Sequence, residues 1–217
     1  MKNIIRFCLT SILLVLAVPS NAEDALSVQT SCSINGWTNN DFGAEIQVRS
    51  APVMDAAIIG QLPLTANNSA NGDRIYSVRF DITGSVNGWL QIDNISDVYN
   101  ARTTDRLAHT EVKSGWVPAD SVRFRIQSAR GFESPQPSAT KLTDLKDDRA
   151  SDMGDIEKVI ACNGQWVLID FRTKFHREED GRLTALSHNT QPMHRAWFRG
   201  ICGNEETTCD MASADKD

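Results

Sequence analysis

Beyond residue 44, apolar and polar residues alternate in short runs, and no long segment has the helical period. A two-residue period places apolar side chains on one face of an extended chain, which is typical of half-buried strands. Five such runs are residues 45–49 (EIQVR), 76–82 (YSVRFDI), 89–92 (WLQI), 115–117 (GWV) and 121–126 (SVRFRI). Turn-forming residues separate them. Five strands in about 80 residues predict a small all-β barrel or sandwich.

The second half of the chain repeats landmarks of the first half in the same order. The matching segments are 49–52 with 133–135, 87–93 with 163–170, and 114–117 with 195–198. The offset between the members of each pair is nearly constant, at about 80 residues, which is typical of one fold unit used twice. We therefore predict two tandem units. The tryptophans of these segments are interpreted as core residues, and Trp37 as a cover for a barrel end or for the seam between the units.

The first unit resembles a known family of small domains. Residues 48–52 (VRSAP) followed by 59–62 (IGQL) are similar to the opening motif of bacterial SH3-like (SH3b) domains. Residues 84–92 resemble the central strand of that family, and Gly115-Trp116-Val117 its closing strand. The second unit is a degenerate copy. The resemblance implies two tandem small SH3-like β-barrels and a role in recognising cell-wall peptide or a protein partner.

The resemblance and the N-terminal composition together predict the organisation of the chain. The predicted parts are a signal peptide (1–22), an N-terminal arm (23–43), SH3-like domain 1 (44–126), SH3-like domain 2 (127–203) and a C-terminal tail (204–217).

The first 22 residues combine an early positive charge, a short apolar run and small residues at the end. This pattern is typical of a secretory signal peptide, here cleaved after Ala22. A retained N-terminal anchor is the alternative. We expect a periplasmic or secreted protein without membrane insertion after cleavage.

The formal net charge of −6 disfavours binding to nucleic acid, because phosphate backbones repel an acidic surface.

Four cysteines follow the predicted cleavage site, which is typical of two disulfides in an exported protein. They are Cys32, Cys162, Cys202 and Cys209. Three pairings are open. Cys202 and Cys209 are near enough in sequence to close a small loop, and a bridge from Cys32 would tie the N-terminal arm to the second half. Zinc binding is the alternative interpretation, although no Cys-x-x-Cys pair is present.

Both predicted units carry a long connection between their two tryptophan strands, at residues 94–113 and 171–194. Long connections are often functional, so these insertions are predicted as a partner surface, with a mobile solvated loop as the alternative. The candidate ligand-binding residues are Tyr99, Arg106, His109, Arg182 and His194.

No pattern in the chain predicts a catalytic residue, a metal site or a cofactor. The histidines lack metal-ligand spacing, and no Gly-x-Ser-x-Gly motif is present. We therefore predict an exported, non-enzymatic binding module that recognises cell-wall peptide or an envelope protein. The first alternative is a secreted inhibitor or immunity-type protein that binds an exported wall hydrolase, for which an acidic charge would suit a basic target. An enzyme is the third hypothesis.

Overall fold

The computed structural model describes residues 27–43, 45–63, 65, 75–100, 103–146, 149–205 and 214–215. The predicted signal peptide and its cleavage after Ala22 lie outside the described residues. The fold is mostly β-sheet, which confirms the all-β prediction.

In chain order the strands are β1 (Thr30–Thr38), β2 (Ile46–Arg49), β3 (Ile58–Leu62), β4 (Arg79–Val86), β5 (Trp89–Asp93), β6 (Val98–Tyr99), β7 (Arg106–Ala108), β8 (Gly115–Pro118), β9 (Val122–Arg123), β10 (Arg125–Ile126), β11 (Arg130–Phe132), β12 (Lys141–Asp144), β13 (Gly154–Asn163), β14 (Trp166–Thr173), β15 (Phe175–Arg177), β16 (Leu183–Ala185), β17 (Met193–Phe198) and β18 (Ile201–Cys202). The helical elements are α1 (Ala150–Met153) and three 3₁₀ turns, at Asn40–Phe42, Ala119–Ser121 and His188–Thr190.

Seven antiparallel strands form the first sheet, in the order β3-β2-β8-β5-β4-β1-β9. The β4–β5 hairpin turns at Asn87 and Gly88, whose φ angles of 49° and 76° are both left-handed, as a tight two-residue hairpin turn requires. The segment predicted as an N-terminal arm instead supplies β1, which pairs with β4 on one side and β9 on the other. The sequence does not predict this strand, because Asn35 and Gly36 are weak strand formers.

Five antiparallel strands form the second sheet, in the order β12-β11-β17-β14-β13. Strands β10 and β18 form a separate two-stranded sheet that joins the end of the first half to the end of the second. Among the described residues the pairing leaves β3 and β9 as the edges of the first sheet and β12 and β13 as the edges of the second.

The two sheets contain the same sequence of pairings. Each sheet has a hairpin at one edge, β2–β3 in the first and β11–β12 in the second. In the first sheet β2 pairs with β8, and in the second β11 pairs with β17. The pairing then continues from β8 to β5 and β4 in the first sheet, and from β17 to β14 and β13 in the second. Each predicted insertion contains a small hairpin of its own, β6–β7 in the first half and β15–β16 in the second.

One hydrophobic core spans both halves of the molecule. Its fully buried members include Ile82 and Leu90 from the first sheet and Ile169, Phe171 and Phe198 from the second. The two halves are therefore packed on each other, with apolar side chains of both sheets in one cluster.

A disulfide between Cys32 of β1 and Cys162 of β13 joins the two sheets. Beside it, the backbone N–H of Ser33 donates to the carbonyl of Gly164 at 2.8 Å, and the N–H of Gly164 donates to the carbonyl of Ser31 at 2.7 Å. The sequence left three pairings open, and the one that includes Cys32–Cys162 ties the segment predicted as an N-terminal arm to the second half. Cys202 is also disulfide-bonded, whereas Cys209 lies outside the described residues.

Part of the segment predicted as a C-terminal tail is built into the second half. The carboxylate of Asp215 is buried, and it accepts hydrogen bonds from the Ser128 hydroxyl at 2.9 Å and from the Ala129 backbone N–H at 2.6 Å. Arg199 lies 3.5 Å from the same carboxylate. A buried carboxylate needs such partners, so this residue is a fixed part of the fold.

Candidate functional site

In the first insertion, two of the predicted ligand-binding residues converge on a carboxylate. Asp97 lies 3.0 Å from His109 Nδ1 and 3.4 Å from Arg106 Nη1, and it accepts a hydrogen bond from the Thr110 backbone N–H at 2.9 Å. The Thr110 hydrogen bond lowers the pKa of Asp97 from its ordinary value of 3.8; the neighbouring His109 and Arg106 lower it further, while burial opposes them. Asp97 therefore ties both residues to the base of the hairpin.

The other three predicted residues lie on separate elements. Tyr99 lies in β6 and is 40% exposed. Arg182 is exposed in the turn between β15 and β16, where its N–H donates to Asp180 Oδ1. His194 is half-buried in β17 opposite Phe171, and burial lowers its pKa. The five candidates therefore divide between the hairpin of the first half and two places in the second.

A different cavity is the strongest candidate for a binding site. It has a volume of about 360 Å³, and both halves of the molecule contribute to its walls. Its lining includes Val28, Ser85, Pro135, Ala161, Leu168 and Trp197. We call this cavity the apolar cleft.

The apolar cleft exists because the second sheet carries apolar residues on both of its faces. In β14 the fully buried Val167 and Ile169 contribute to the common core, whereas Leu168 between them lies on the opposite face. There Leu168 packs with Ile160 and Ala161, and with Trp197 directly across the strand pair. The result is an apolar floor on the side of the sheet that faces away from the core.

Aromatic rings continue this floor. Phe132 pairs directly with Trp197 in the sheet, and its ring meets that of Trp166 edge to face at a centroid distance of 5.4 Å. Both Trp166 and Trp197 are only half-buried, unlike Trp89 and Trp116, which are buried. Half-buried aromatic rings beside a cavity offer contact area at a low cost in conformational entropy.

The walls of the apolar cleft are held in place before any ligand arrives. Cys162, one of its lining residues, is bonded to Cys32 of the first sheet. The hydroxyl of Thr30, another lining residue, donates to the carbonyl of Cys162. A preformed cavity spares a ligand the entropy cost of ordering the loops around it.

A few polar groups surround this apolar interior. Glu133 is exposed at the rim, and Arg195 makes a two-point ion pair with Asp170 at 2.8 and 2.9 Å. The Ser85 hydroxyl is buried and has no hydrogen-bond partner among the described residues. A mostly apolar cavity of this size with a small number of polar groups is the usual form of a ligand-binding site.

Sequence reasoning missed the apolar cleft because its residues come from six separate stretches of the chain. The tryptophans of the second half are predicted as core residues, and that prediction places no apolar surface on the outer face of this sheet. One signal was present. The run Val167-Leu168-Ile169 is apolar on consecutive positions, which indicates a strand covered on both faces.

Within the described ranges, no group of three or more histidine, cysteine, aspartate or glutamate side chains is arranged to hold a metal ion. In the same part of the chain, no helix has the length and apolar character needed to cross a membrane.

Comparison of the chain with protein-family models, with curated proteins and with solved structures finds no match.

Proposed function

We propose that this protein is an exported, non-enzymatic binding module of the bacterial envelope that holds an extended peptide, from the cell wall or from an envelope protein, in the apolar cleft. The observation that carries the proposal is the cleft itself, a preformed cavity of about 360 Å³ with Trp197 and Leu168 in its lining. Aromatic and aliphatic contacts would hold an apolar side chain of the peptide, and the rim would set its orientation.

The family assignment is part of the same proposal. The motifs around residues 48–62, 84–92 and 115–122 resemble those of SH3-like domains. The shared order of pairings in the two sheets, with an inserted hairpin at the same place in each, supports two SH3-like units in tandem. The apolar cleft then lies where the second unit meets the beginning of the first.

Export is supported by the disulfide chemistry of the chain. The Cys32–Cys162 bond joins residues 130 positions apart, and such bonds persist in oxidising compartments such as the periplasm. The signal-like N-terminus agrees with this setting.

Charge at the rim restricts the kind of peptide. Glu133 is exposed beside the cleft, whereas the guanidinium of Arg195 is already engaged by Asp170. The net charge of the chain is −6. A peptide with an amine next to its apolar side chain therefore fits the rim better than an acidic peptide does.

The test is sedimentation of the processed protein with purified peptidoglycan. We expect the wild type to co-sediment, and Trp197→Ala and Glu133→Lys to lower the bound fraction by about tenfold, the effect of losing one good contact. Met193→Ala is the matched control, since Met193 is exposed on the same strand but does not line the cleft. Glu133→Lys changes an exposed residue and so leaves the fold intact.

Two outcomes would contradict the proposal. One is a wild-type protein that stays in the supernatant with peptidoglycan and captures no envelope protein. The other is that the two single variants, Glu133→Lys and Trp197→Ala, both fold and both bind peptidoglycan as the wild type does. Tight, salt-sensitive, one-to-one binding to a purified wall hydrolase in place of peptidoglycan would favour the inhibitor hypothesis instead.

A further inference from the structure

The two tyrosines of the chain lie in the lining of one cavity. This cavity, of about 430 Å³, lies between residues 76–79 and the β6–β7 hairpin. Its lining includes Tyr76, Arg79, Asp97, Tyr99, Asn100 and Thr104. We call it the tyrosine cavity. Its described lining residues come from the first half of the chain, and none of them lines the apolar cleft.

Backbone pairing fixes the two tyrosines relative to each other. The N–H of Tyr76 donates to the carbonyl of Tyr99 at 3.2 Å, and the neighbouring Ile75 and Asn100 form a β-bridge. The N–H of Thr104 donates to the carbonyl of Asn100 at 3.0 Å. The hairpin is thus joined to the chain segment that precedes β4, and the cavity is bounded on both sides by hydrogen-bonded backbone.

The aromatic rings remain accessible within this frame. Tyr99 is 40% exposed, and neither phenol hydroxyl has a hydrogen-bond partner among the described residues. The guanidinium carbon of Arg79 lies 5.4 Å from the centre of the Tyr76 ring, within the range of a cation–π contact. Tyr76 is therefore fixed in orientation, while Tyr99 presents a ring to solvent.

One residue of the wall is held in a strained backbone conformation. Thr104 has a φ of 60°, a left-handed conformation that a β-branched residue rarely adopts. Strain of this kind persists only where the surrounding structure imposes it, and it is concentrated at ligand-binding and catalytic sites. The loop that carries Thr104 is closed by the Thr103 N–H, which donates to Asn100 Oδ1 at 3.1 Å.

The composition of the lining identifies the chemistry that fits. Apart from the two tyrosines, the described residues of the lining carry polar or charged groups, so aromatic surface and hydrogen-bonding groups lie side by side in the cavity. A pyranose sugar has the complementary surface, because its C–H faces lie against aromatic rings and its ring of hydroxyls needs hydrogen-bond donors and acceptors.

We propose that the tyrosine cavity binds a pyranose unit of a polysaccharide, with the ring of Tyr99 against one face of the sugar and the polar groups of Arg79 and Asn100 at its hydroxyls. The proposal goes beyond the peptide-binding function, because it assigns a second site and a second class of ligand. A glycan site in the first half and a peptide site in the second would let one chain engage both components of a wall polymer.

The experiment is a titration of the processed protein with two neutral tetrasaccharides, cellotetraose and its β-1,4-linked N-acetylglucosamine counterpart, followed by NMR of the tyrosine ring resonances. We expect at least one to bind with a Kd below about 1 mM. Tyr99→Ala should weaken binding by about tenfold because the ring contact is lost, whereas Tyr99→Phe keeps the ring and should stay within about threefold. Leu107→Ala, an exposed change on the same hairpin, should have no effect.

Three results would overturn the proposal. The first is the absence of any shift of the tyrosine resonances with either saccharide up to about 10 mM. The second is a folded Tyr99→Ala variant that binds as the wild type does. The third is a response to an acetylated dipeptide with a free carboxylate and not to the saccharides, which would assign the cavity to a peptide terminus at Arg79. Trp197→Ala should leave saccharide binding unchanged, so failure of this site and failure of the apolar cleft are distinguishable.

Discussion

The two inserted hairpins occupy the same place in the order of pairings that the two sheets share, yet only the first has buried apolar residues of the common core at its base. Hairpin β6–β7 lies between β5 and β8, and β15–β16 lies between β14 and β17. At the base of the first, Ile95 and Val98 are buried in the common core. In the second, all three residues of β16 are exposed.

The hydrogen bonds of the two hairpins differ in the same way. Asp97 binds Arg106, His109 and the Thr110 N–H across the first hairpin. The second hairpin closes mainly on itself, with the Glu178 N–H donating to the carbonyl of Arg182 at 2.8 Å. The first insertion is therefore anchored to the common core by apolar residues at its base, and insertion length alone does not decide this.

The largest effect on stability is expected from removing the Cys32–Cys162 disulfide, which joins the two sheets that carry the hairpins. The double substitution Cys32→Ser with Cys162→Ser should lower the free energy of unfolding by about 2–5 kcal/mol, because the bond closes a loop of 130 residues. Guanidinium unfolding of the processed protein measures this. Ser33→Ala, an exposed neighbour, is the control, and equal stability of the double variant and the control would contradict the account.

The next largest effect on stability is expected to differ between the two insertions. Ile95→Ala should lower the free energy of unfolding by about 2–4 kcal/mol, because Ile95 is 5% exposed and packs in the common core. Leu183→Ala in the second hairpin should stay within about 0.5 kcal/mol, because Leu183 is 40% exposed. Urea unfolding of both variants is the measurement, and similar losses for the two would remove the distinction between the hairpins.

A smaller effect is expected from the Asp97 hydrogen bonds. The pKa of Asp97 is lowered in the folded state, so its contribution to stability is complete above the ordinary aspartate pKa of 3.8 and is lost as the pH falls below that value. The amide resonance of Thr110 should report this titration. Asp97→Asn should abolish the pH dependence, whereas Glu178→Gln in the second hairpin should leave it intact. A Thr110 resonance that titrates normally in Asp97→Asn would count against the assignment.

The smallest effect concerns His194, at the end of the second insertion. Burial lowers the pKa of His194 in the folded state, so protonation favours the unfolded state. Stability should be greatest above pH 6.5, the ordinary histidine value, and decline as the pH falls below it. In His194→Gln this part of the pH dependence should disappear, as measured by thermal unfolding between about pH 5 and 8. An unchanged profile would show that another group is responsible.

The sequence predicted those features that depend on local patterns. Alternation identified most strands of the first sheet, and the Asn87-Gly88 pair identified its turn. The two long connections between tryptophan strands were recognised as insertions, although the hairpin inside each was not predicted. An even number of cysteines predicted disulfides, and the Cys32 bridge to the second half is present. Apart from the disulfide, each of these signals lies within a few residues of the element it predicts.

Features that depend on packing between distant segments were missed. Strand β1 was interpreted as an arm because it has no partner nearby in sequence, and it pairs with residues about 50 positions away. The apolar cleft needs residues from both halves, and only the three-dimensional arrangement brings them together. Tyr99 was identified as a ligand-binding candidate, but Tyr76 and Arg79 were not, because they precede the insertion in a segment interpreted as a plain strand.

Binding in the apolar cleft is the claim on which the proposed function rests, and amide hydrogen exchange tests it most directly. The processed protein would be compared with and without purified soluble peptidoglycan fragments. We expect slower exchange at residues 133–134, 161–163 and 195–197, which line the cleft, and no change in the β15–β16 hairpin. Fragments that bind without slowing exchange at these three segments, or that protect the second hairpin in their place, would contradict it.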